Sequence, residues 1–453
     1  MSEPNDRLAA LINEAHWSWA GLARRVNDLA AGEGKALRYD YTAVNRWVKK
    51  GERPRSPVPN FIARALSERL GRRVSPSDFG MLEEETLAAR GLSYGGSPLD
   101  TAETIIDLGK ADTNRRHIIK VPFVLAALGA PSRDWLLAAL DEMSTERGPR
   151  QVGMRQVAGM RDMFALFQEM DVMRGGGHAR TALLEYMSSY VVPLLKRDHQ
   201  RAVELALFEA SAELAYLIGW MAYDDGEHGL AQRYLIQALH LAQASGAVAL
   251  GAHVLAGMSD QANLLGHPQE ALMLARAGRR GLAEAESAAC LADLHILEAR
   301  ALAALGEKTE ASRAVSRAEK TLDQVVHADE PEWAKYIDAP YLFGEAAHCF
   351  RDLEQVDQLE RFARESAQEA SRRGRARRGA LSHAALAVGD LMRDDVESAA
   401  SKGIRVVDLA VSVNSTRCVA AVRDLQHRMG PHGTVPEVQR FNSRAQELLG
   451  LAA

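Results

Sequence analysis

The sequence predicts an all-α protein in which a small N-terminal helical domain is followed by an α-solenoid. Two patterns favour this fold class. In the first eighty residues, apolar side chains recur at helical spacing in four short segments. Further along, glycine and alanine recur at steps of 40 residues, which is typical of stacked helical hairpins. We therefore expect an N-terminal domain at 1–80, a helical connector at 81–150 and a repeat array at 151–453.

The charge of the chain is unevenly distributed. The 453 residues carry a net charge of -5, yet residues 1–80 contain 14 Lys+Arg against 9 Asp+Glu. A basic end on an acidic protein indicates nucleic acid as its partner. No apolar run approaches the roughly 20 residues that span a bilayer, and the N-terminus lacks the pattern of a signal peptide. A cytoplasmic protein without a membrane partner is expected.

Four helices are predicted in the N-terminal domain from apolar spacing and capping residues. Ser18 is a suitable N-cap for the second helix and Asp40 for the third, while Gly51 is placed to end the third. The apolar positions of the four helices are, in chain order, Leu8, Leu11, Ile12, Leu22, Val26, Leu29, Tyr41, Val44, Trp47, Val48, Phe61, Ile62, Ala65, Leu66 and Leu70.

The third helix is the candidate DNA-binding element. Trp47 is expected to anchor it in the core, with polar and basic neighbours on the other sides. Such a helix can enter the major groove, about 12 Å wide, where Asn pairs with adenine and Arg with guanine while further cations meet phosphates. The alternative is a four-helix bundle end with a solvated basic face. The predicted DNA-binding residues are Thr42, Asn45, Arg46, Lys49, Lys50, Arg53 and Arg55.

Residues 6–73 resemble a helix-turn-helix domain of the XRE (repressor/Cro) class. The segment "WSWAGLARRVN" resembles its second helix, and "YTAVNRWVKKGERP" resembles its recognition helix. The intervening "DLAAGEGKALRYD" is longer than the usual tight turn. The resemblance implies that double-stranded operator DNA is the partner. A homodimer is expected, because one such helix contacts only a few base pairs.

The repeat is clearest in three turns that share Gly-x4-Ala. They are followed seven residues later by another small residue, and the register is expected to continue through Val356 with Ala363 and Val396 with Gly403. A helical pair at 151–205 is expected to begin the array. The units resemble tetratricopeptide repeats lengthened to about 40 residues. The marking residues are Gly226, Ala231, Ala238, Gly266, Ala271, Gly278, Gly306, Ala311 and Ala318.

Two segments carry a closer resemblance. "FQEMDVMRGGGHARTALLEYMSSYVVPLL" and "AELAYLIGWMAYDDGEHGLAQRYLIQALHLAQASG" are similar to a family of actinobacterial, streptomycete-type regulators that join an XRE-type domain to a tetratricopeptide-like array. The resemblance covers nearly the whole chain. It implies a transcriptional regulator of development or antibiotic production, often a repressor.

Polar and aromatic residues interrupt the apolar first helices of the repeats at aligned positions. Such rows can line a groove that holds a peptide or small-molecule effector. The alternative is ordinary packing, with ion pairs between neighbouring repeats. The candidate groove residues are Glu213, Trp220, Tyr223, His253, Asp260, Asn263, Asp293 and Arg300.

The remaining motifs predict no catalysis. Cys290, Cys349 and Cys418 are far apart and expected to be buried thiols, and neither a metal site nor a cofactor site is expected. The glycine-rich 173–180 lacks the phosphate-loop pattern and is interpreted as a turn. The basic run "SRRGRARRG" at 371–379 is interpreted as a solvated junction, with a phosphate contact or an acidic partner as alternatives. We expect no enzyme. A protein-interaction scaffold without specific DNA binding is the alternative to a regulator.

Overall fold

In the computed structural model, the described residues are 4–451 except 33–34, 56, 73, 75, 77, 82–88, 90, 95–96, 114–120, 143–153, 175–178, 283–286 and 414. Every regular element within them is a helix, so the all-α prediction is confirmed. The chain divides into two compact units, one formed by residues 1–90 with 110–119 and the other by residues 91–109 with 120–453.

Within the part of the chain that the structure describes, the first unit contains four complete helices: α1 (Asp6–Glu14), α2 (Trp19–Gly32), α3 (Tyr41–Lys49) and α4 (Val58–Leu70). Both predicted caps are present. The Ser18 hydroxyl accepts a hydrogen bond from the Gly21 N–H at 3.1 Å, and the Asp40 carboxylate accepts one from the Ala43 N–H at 3.0 Å. Gly51 follows α3 with a left-handed φ of 61°. The four-helix prediction is confirmed.

One apolar core joins these four helices, and Trp47 lies in it with 3% of its surface exposed. The ring of Tyr39 meets the indole edge-on at a centroid distance of 5.0 Å. Asn27 on α2 holds the segment before α3, because its side chain makes two 2.9 Å hydrogen bonds with the backbone of Tyr39. The start of α3 is therefore fixed from two sides.

Four helices are described between residues 98 and 195. They are α5 (Pro98–Thr113), α6 (Gly129–Glu142), α7 (Arg155–Arg174) and α8 (Ala179–Tyr186). Helix α8 continues through a π-helical turn at Met187–Val191 into a last helical turn at Val192–Leu195. The Gly-rich turn predicted at 173–180 falls largely on 175–178, outside the described residues.

The helical connector expected at 81–150 is interrupted at residues 121–124, which are not helical. Val124 has extended backbone angles, and a single 3-10 turn at Leu125–Ala127 follows before α6. Pro122 disfavours helix for the residue before it. The side chain of Gln232 also binds both the N–H and the C=O of Val124 at 2.8 Å, which satisfies the extended backbone.

The rest of the second unit consists of helices that pack in successive pairs. These helices are α9 (Arg201–Asp224), α10 (His228–Ser245), α11 (Val248–Leu264), α12 (Pro268–Gly281), α13 (Ala288–Ala304), α14 (Lys308–Leu322), α15 (Ala339–Asp352), α16 (Val356–Arg372), α17 (Ala376–Leu391), α18 (Val396–Ala410), α19 (Thr416–Met429) and α20 (Pro436–Leu451).

In each of the first five pairs, the turn between the two helices contains a residue with left-handed backbone conformation (positive φ). The three predicted turn glycines have φ values of 79–80°, whereas Glu354 and Asp394 occupy the turn in the next two pairs at 56° and 59°. The predicted register of those later pairs is wrong. Val356 and Val396 begin α16 and α18, and Leu359 and Ala399 take the place five residues after the turn. The long segment between α14 and α15 and the lack of glycine conceal this shift.

Helix α9 is long and apolar enough to cross a membrane, but 83% of its most apolar stretch is buried inside the protein. This degree of burial is typical of a helix in the core of a protein. The prediction for the cysteines is confirmed, since all three thiols are buried and none is in a disulfide.

Candidate functional site

The outward face of α3 is the first candidate site. Burial follows the helical period: Val44 and Trp47 face the core, while Thr42, Arg46 and Lys49 are exposed and Asn45 is half-buried. Lys50, Arg53 and Arg55, just beyond the helix, are exposed as well. The structure therefore places all seven predicted DNA-binding residues at the surface of the first unit.

The contact between Arg46 and Glu52 on this face is weak enough to be exchanged for a ligand. Arg46 Nε lies 3.6 Å from a carboxylate oxygen of Glu52, and about half of each side chain is exposed. An exposed pair of this kind contributes about 0–1 kcal/mol. At the start of the helix, Tyr41 is 54% exposed and stacks on Trp19 at 5.2 Å between ring centroids. The face thus combines cations, an amide and an aromatic ring.

The second candidate site is a cavity, partly open to solvent, inside the second unit. Side chains from α7, α9, α15, α17 and α19, together with the segment before α15, converge on it. The lining residues are Gln168, Asp171, Val172, Tyr216, Leu217, Trp220, Tyr336, Tyr341, Arg375, Arg377, Arg378, Leu381 and Arg417.

Two arginines and two aspartates form a buried network on one side of the cavity. Arg377 donates to Asp171 and to Asp224, each at 3.0 Å, and Arg417 Nε donates to Asp224 at 2.6 Å. Burial alone would raise the pKa of Asp224, but the two guanidinium groups lower it below its usual value. Asp171 differs, because burial raises its pKa more than Arg377 lowers it. Asp224 is thus the charged partner of the network.

A second cluster of buried charges surrounds Glu345. Its carboxylate pairs with Arg300 and accepts a hydrogen bond from Arg378 Nη1 at 3.0 Å. Burial would raise the pKa of Glu345, yet the two arginines hold it well below its usual range. The ring of Tyr341 lies beneath the Arg378 guanidinium, 5.0 Å from its central carbon. Arg378 is therefore held by a carboxylate and an aromatic ring together.

Of the eight predicted groove residues, Trp220 alone lines this cavity. Tyr223 lies behind it and donates to Asp260 at 3.0 Å, which links the inner helices of two neighbouring pairs. Asp293 accepts from Tyr341 at 2.8 Å, and burial raises the pKa of Asp293 to about 8. Arg300 pairs with the Glu345 cluster described above. Most of the eight predicted groove residues therefore lie behind the cavity, where they contact one another or the residues that line it.

The other three predicted groove residues have different surroundings. Glu213 is paired with Arg161 at 3.6 Å, and burial raises the pKa of Glu213 to about 8. His253 is buried between Tyr216 and Trp333, at centroid distances of 4.3 and 4.8 Å. Burial lowers the pKa of His253 to about 3, so the ring is neutral. Asn263 is half-buried at the end of α11.

The interpretation of 371–379 as a solvated junction is wrong for its second half. Arg375, Arg377 and Arg378 turn inward and line the cavity, with side chains 11–18% exposed. Sequence reasoning missed them because their carboxylate partners lie on α7, α9 and near or on α15, far away in the chain. Isolated acids in apolar helices, such as Asp224 and Glu345, are the signal that could have indicated buried cationic partners.

Comparison with known proteins adds one match. A family model described as the SP15 N-terminal domain matches residues 8–82, a range that contains α2, α3 and α4 and most of α1. No curated protein matches the chain. The family match therefore concerns the unit that carries the basic helix.

Proposed function

We propose that this protein is a sequence-specific DNA-binding transcriptional regulator. Its first unit acts as the helix-turn-helix domain, and α3 is its recognition helix. The observation that carries the proposal is the arrangement on α3, where Trp47 is buried and Asn45, Arg46 and Lys49 lie on the outer sides. Side chains fixed on a rigid helix can pair with base edges, and the exposed cations that follow can meet phosphates.

The second unit supplies sensing, dimerisation or both. Its successive helical pairs are consistent with a tetratricopeptide-like α-solenoid, an architecture whose stacked units offer extended binding surfaces. Homodimerisation is proposed because two half-sites multiply the selectivity that one short helix provides. The resemblance to streptomycete-type regulators suggests a cytoplasmic protein that acts in development or antibiotic production, often as a repressor.

The test begins with selection of genomic DNA fragments by the full chain, followed by competitive gel-shift titration against random duplex. The variant carries Asn45→Ala with Arg46→Ala. Its preference for the selected fragment should fall at least tenfold, because each lost base pairing removes about 1–3 kcal/mol of discrimination.

The matched control carries Asn13→Ala with Arg7→Ala, the same substitutions at exposed positions of α1. It should keep the preference of the parent protein. If the α3 variant retains its selectivity, α3 is not the recognition helix. If the parent chain fails to bind any duplex at low salt, DNA binding itself is excluded and the interaction scaffold becomes the better explanation.

A further inference from the structure

The charges that line the cavity of the second unit are unbalanced. Four guanidinium groups face it, from Arg375, Arg377, Arg378 and Arg417, against the single carboxyl group of Asp171. The compensating carboxylates of Asp224, Asp338 and Glu345 are not among the lining residues, so they hold the arginines from behind. The wall therefore presents positive charge to whatever occupies the cavity.

Two of these arginines retain donors that the protein does not use. Within the described residues, Arg417 donates only through Nε, to Asp224, and Arg378 only through Nη1, to Glu345. A guanidinium group has five N–H donors, so each has amino groups left for a ligand. The Arg417 guanidinium also lies 5.2 Å from the ring centre of Trp220, which fixes its plane. Such a preorganised fork is suited to an oxyanion.

Asp171 provides an independent sign of a missing partner. The residue is 2% exposed and lines the cavity, and its Oδ1 is buried with no hydrogen-bond partner. Its other oxygen accepts from Arg377. Burial raises the pKa of Asp171, which favours the protonated carboxyl, the form that can donate a hydrogen bond to a ligand oxygen. A buried polar atom without a partner is costly unless a ligand or water satisfies it.

The rest of the lining is largely aromatic and aliphatic. Tyr216, Trp220, Tyr336 and Tyr341 contribute rings, and Leu217 and Leu381 contribute aliphatic surface. A planar or apolar body can pack against these side chains while its charged group reaches the arginines.

We infer that this cavity binds a small organic oxyanion, a carboxylate or a phosphate ester carried on an aromatic or apolar body. Arg417 and Arg378 hold the oxyanion, Asp171 hydrogen-bonds to it, and Trp220 with its neighbouring rings packs the body. The inference deepens the sensing role proposed above by naming the ligand class. Binding to the cavity can be measured without DNA, so failure here and failure of the proposed DNA binding are separate results.

The probe is 8-anilinonaphthalene-1-sulfonate, titrated into the full chain and followed by fluorescence. N-phenyl-1-naphthylamine has the same rings without the sulfonate and is the neutral control. We expect saturable binding of about one sulfonate probe per chain and at least tenfold weaker binding of the neutral compound. Equal binding of the two probes, or the absence of a saturable site, would overturn the inference. This comparison needs no variant and is independent of any change in folding.

Competition then distinguishes the two oxyanion types. Benzoate and phenyl phosphate are added to the complex with the sulfonate probe, and the one that displaces it at the lower concentration identifies the preferred group. Benzamide, which has no charge, should displace it at least tenfold less effectively than benzoate. If neither anion displaces the probe, or if benzamide displaces it as well as benzoate does, the cavity is not an oxyanion site.

Variants assign the binding to this cavity. Arg417→Gln should lower the affinity for the sulfonate probe at least tenfold. Trp220→Leu should lower the affinity for both probes to a similar extent. The matched control is Arg364→Gln, because this arginine on α16 has a side chain 74% exposed and pairs within its own helix with Glu360. Its affinity for the probe should stay within twofold of the parent. An unchanged affinity in a folded Arg417→Gln protein would place the probe elsewhere.

Discussion

Replacement of Trp47 by alanine tests whether the recognition face depends on a buried anchor. The indole is 3% exposed, and truncation of such a residue costs about 3–5 kcal/mol. Loss of the edge-on contact with Tyr39 at 5.0 Å adds about 0.5–1.5 kcal/mol. A whole domain is stable by only about 5–15 kcal/mol. The substitution should therefore remove a large part of the stability of the first unit.

Hydrogen exchange with mass spectrometry on the full chain measures this effect locally. Amides in α1–α4 should lose at least a hundredfold of their protection, since 1.4 kcal/mol corresponds to a factor of about ten. Peptides from α9 to α18 serve as an internal reference and should keep theirs. Trp19→Ala is the matched control, because this half-buried indole stacks on exposed Tyr41, and its effect should be smaller. Unchanged protection across α1–α4 in Trp47→Ala would refute the anchoring role.

Two further predictions concern the second unit. Burial raises the pKa of Asp293 to about 8, so the folded state binds a proton that the unfolded state releases near pH 4. This acid therefore weakens the fold as pH rises from about 4 to 8, by up to about 1.4 kcal/mol per pH unit. Asp293→Asn should flatten that slope in urea unfolding at pH 5 and 8, and parallel pH profiles would contradict the pKa assignment. Glu354→Gly should raise the free energy of unfolding by about 0.5–1.5 kcal/mol, because glycine relieves the left-handed φ of 56°. Glu354→Ala keeps that strain, and an equal gain in the alanine variant would show that φ is not the cause.

The helices of the first unit could be predicted because their determinants are local. Ser18 and Asp40 cap the N–H groups three residues later, and the core positions recur every three or four residues. The outward placement of Arg46 follows from the same period. Each of these interactions spans a few positions in the chain, so a sequence pattern is enough to reveal it.

The cavity could not be predicted in the same way because its ion pairs are distant in sequence. Arg377 is 206 residues from Asp171 and 153 residues from Asp224. Nothing near residue 377 distinguishes a buried arginine from the solvated ones in the same run. The structure pairs Arg377 with carboxylates from two other helices.

The repeat register of the pairs α15–α16 and α17–α18 could not be predicted, for a different reason. Glycine marks a left-handed turn because it adopts positive φ without strain. Once Glu354 and Asp394 take that conformation, the sequence no longer shows where the helix ends. Helical packing around the turn must then stabilise the strained residue. Repeats therefore persist in the structure after their sequence marker has gone.

The arginine network gives ligand binding a direct route to helix packing. Arg377 on α17 joins Asp171 on α7 to Asp224 on α9, and Arg417 on α19 binds the same Asp224. An oxyanion bound to the unused amino groups of Arg417 and Arg378 would add a contact to guanidinium groups that already hold helices of this unit together. A ligand present at a hundred times its Kd also stabilises the state that binds it, by about 2.7 kcal/mol. Under the sensing role proposed above, an anionic ligand would act on the second unit through its stability and through the arginines that join its helices.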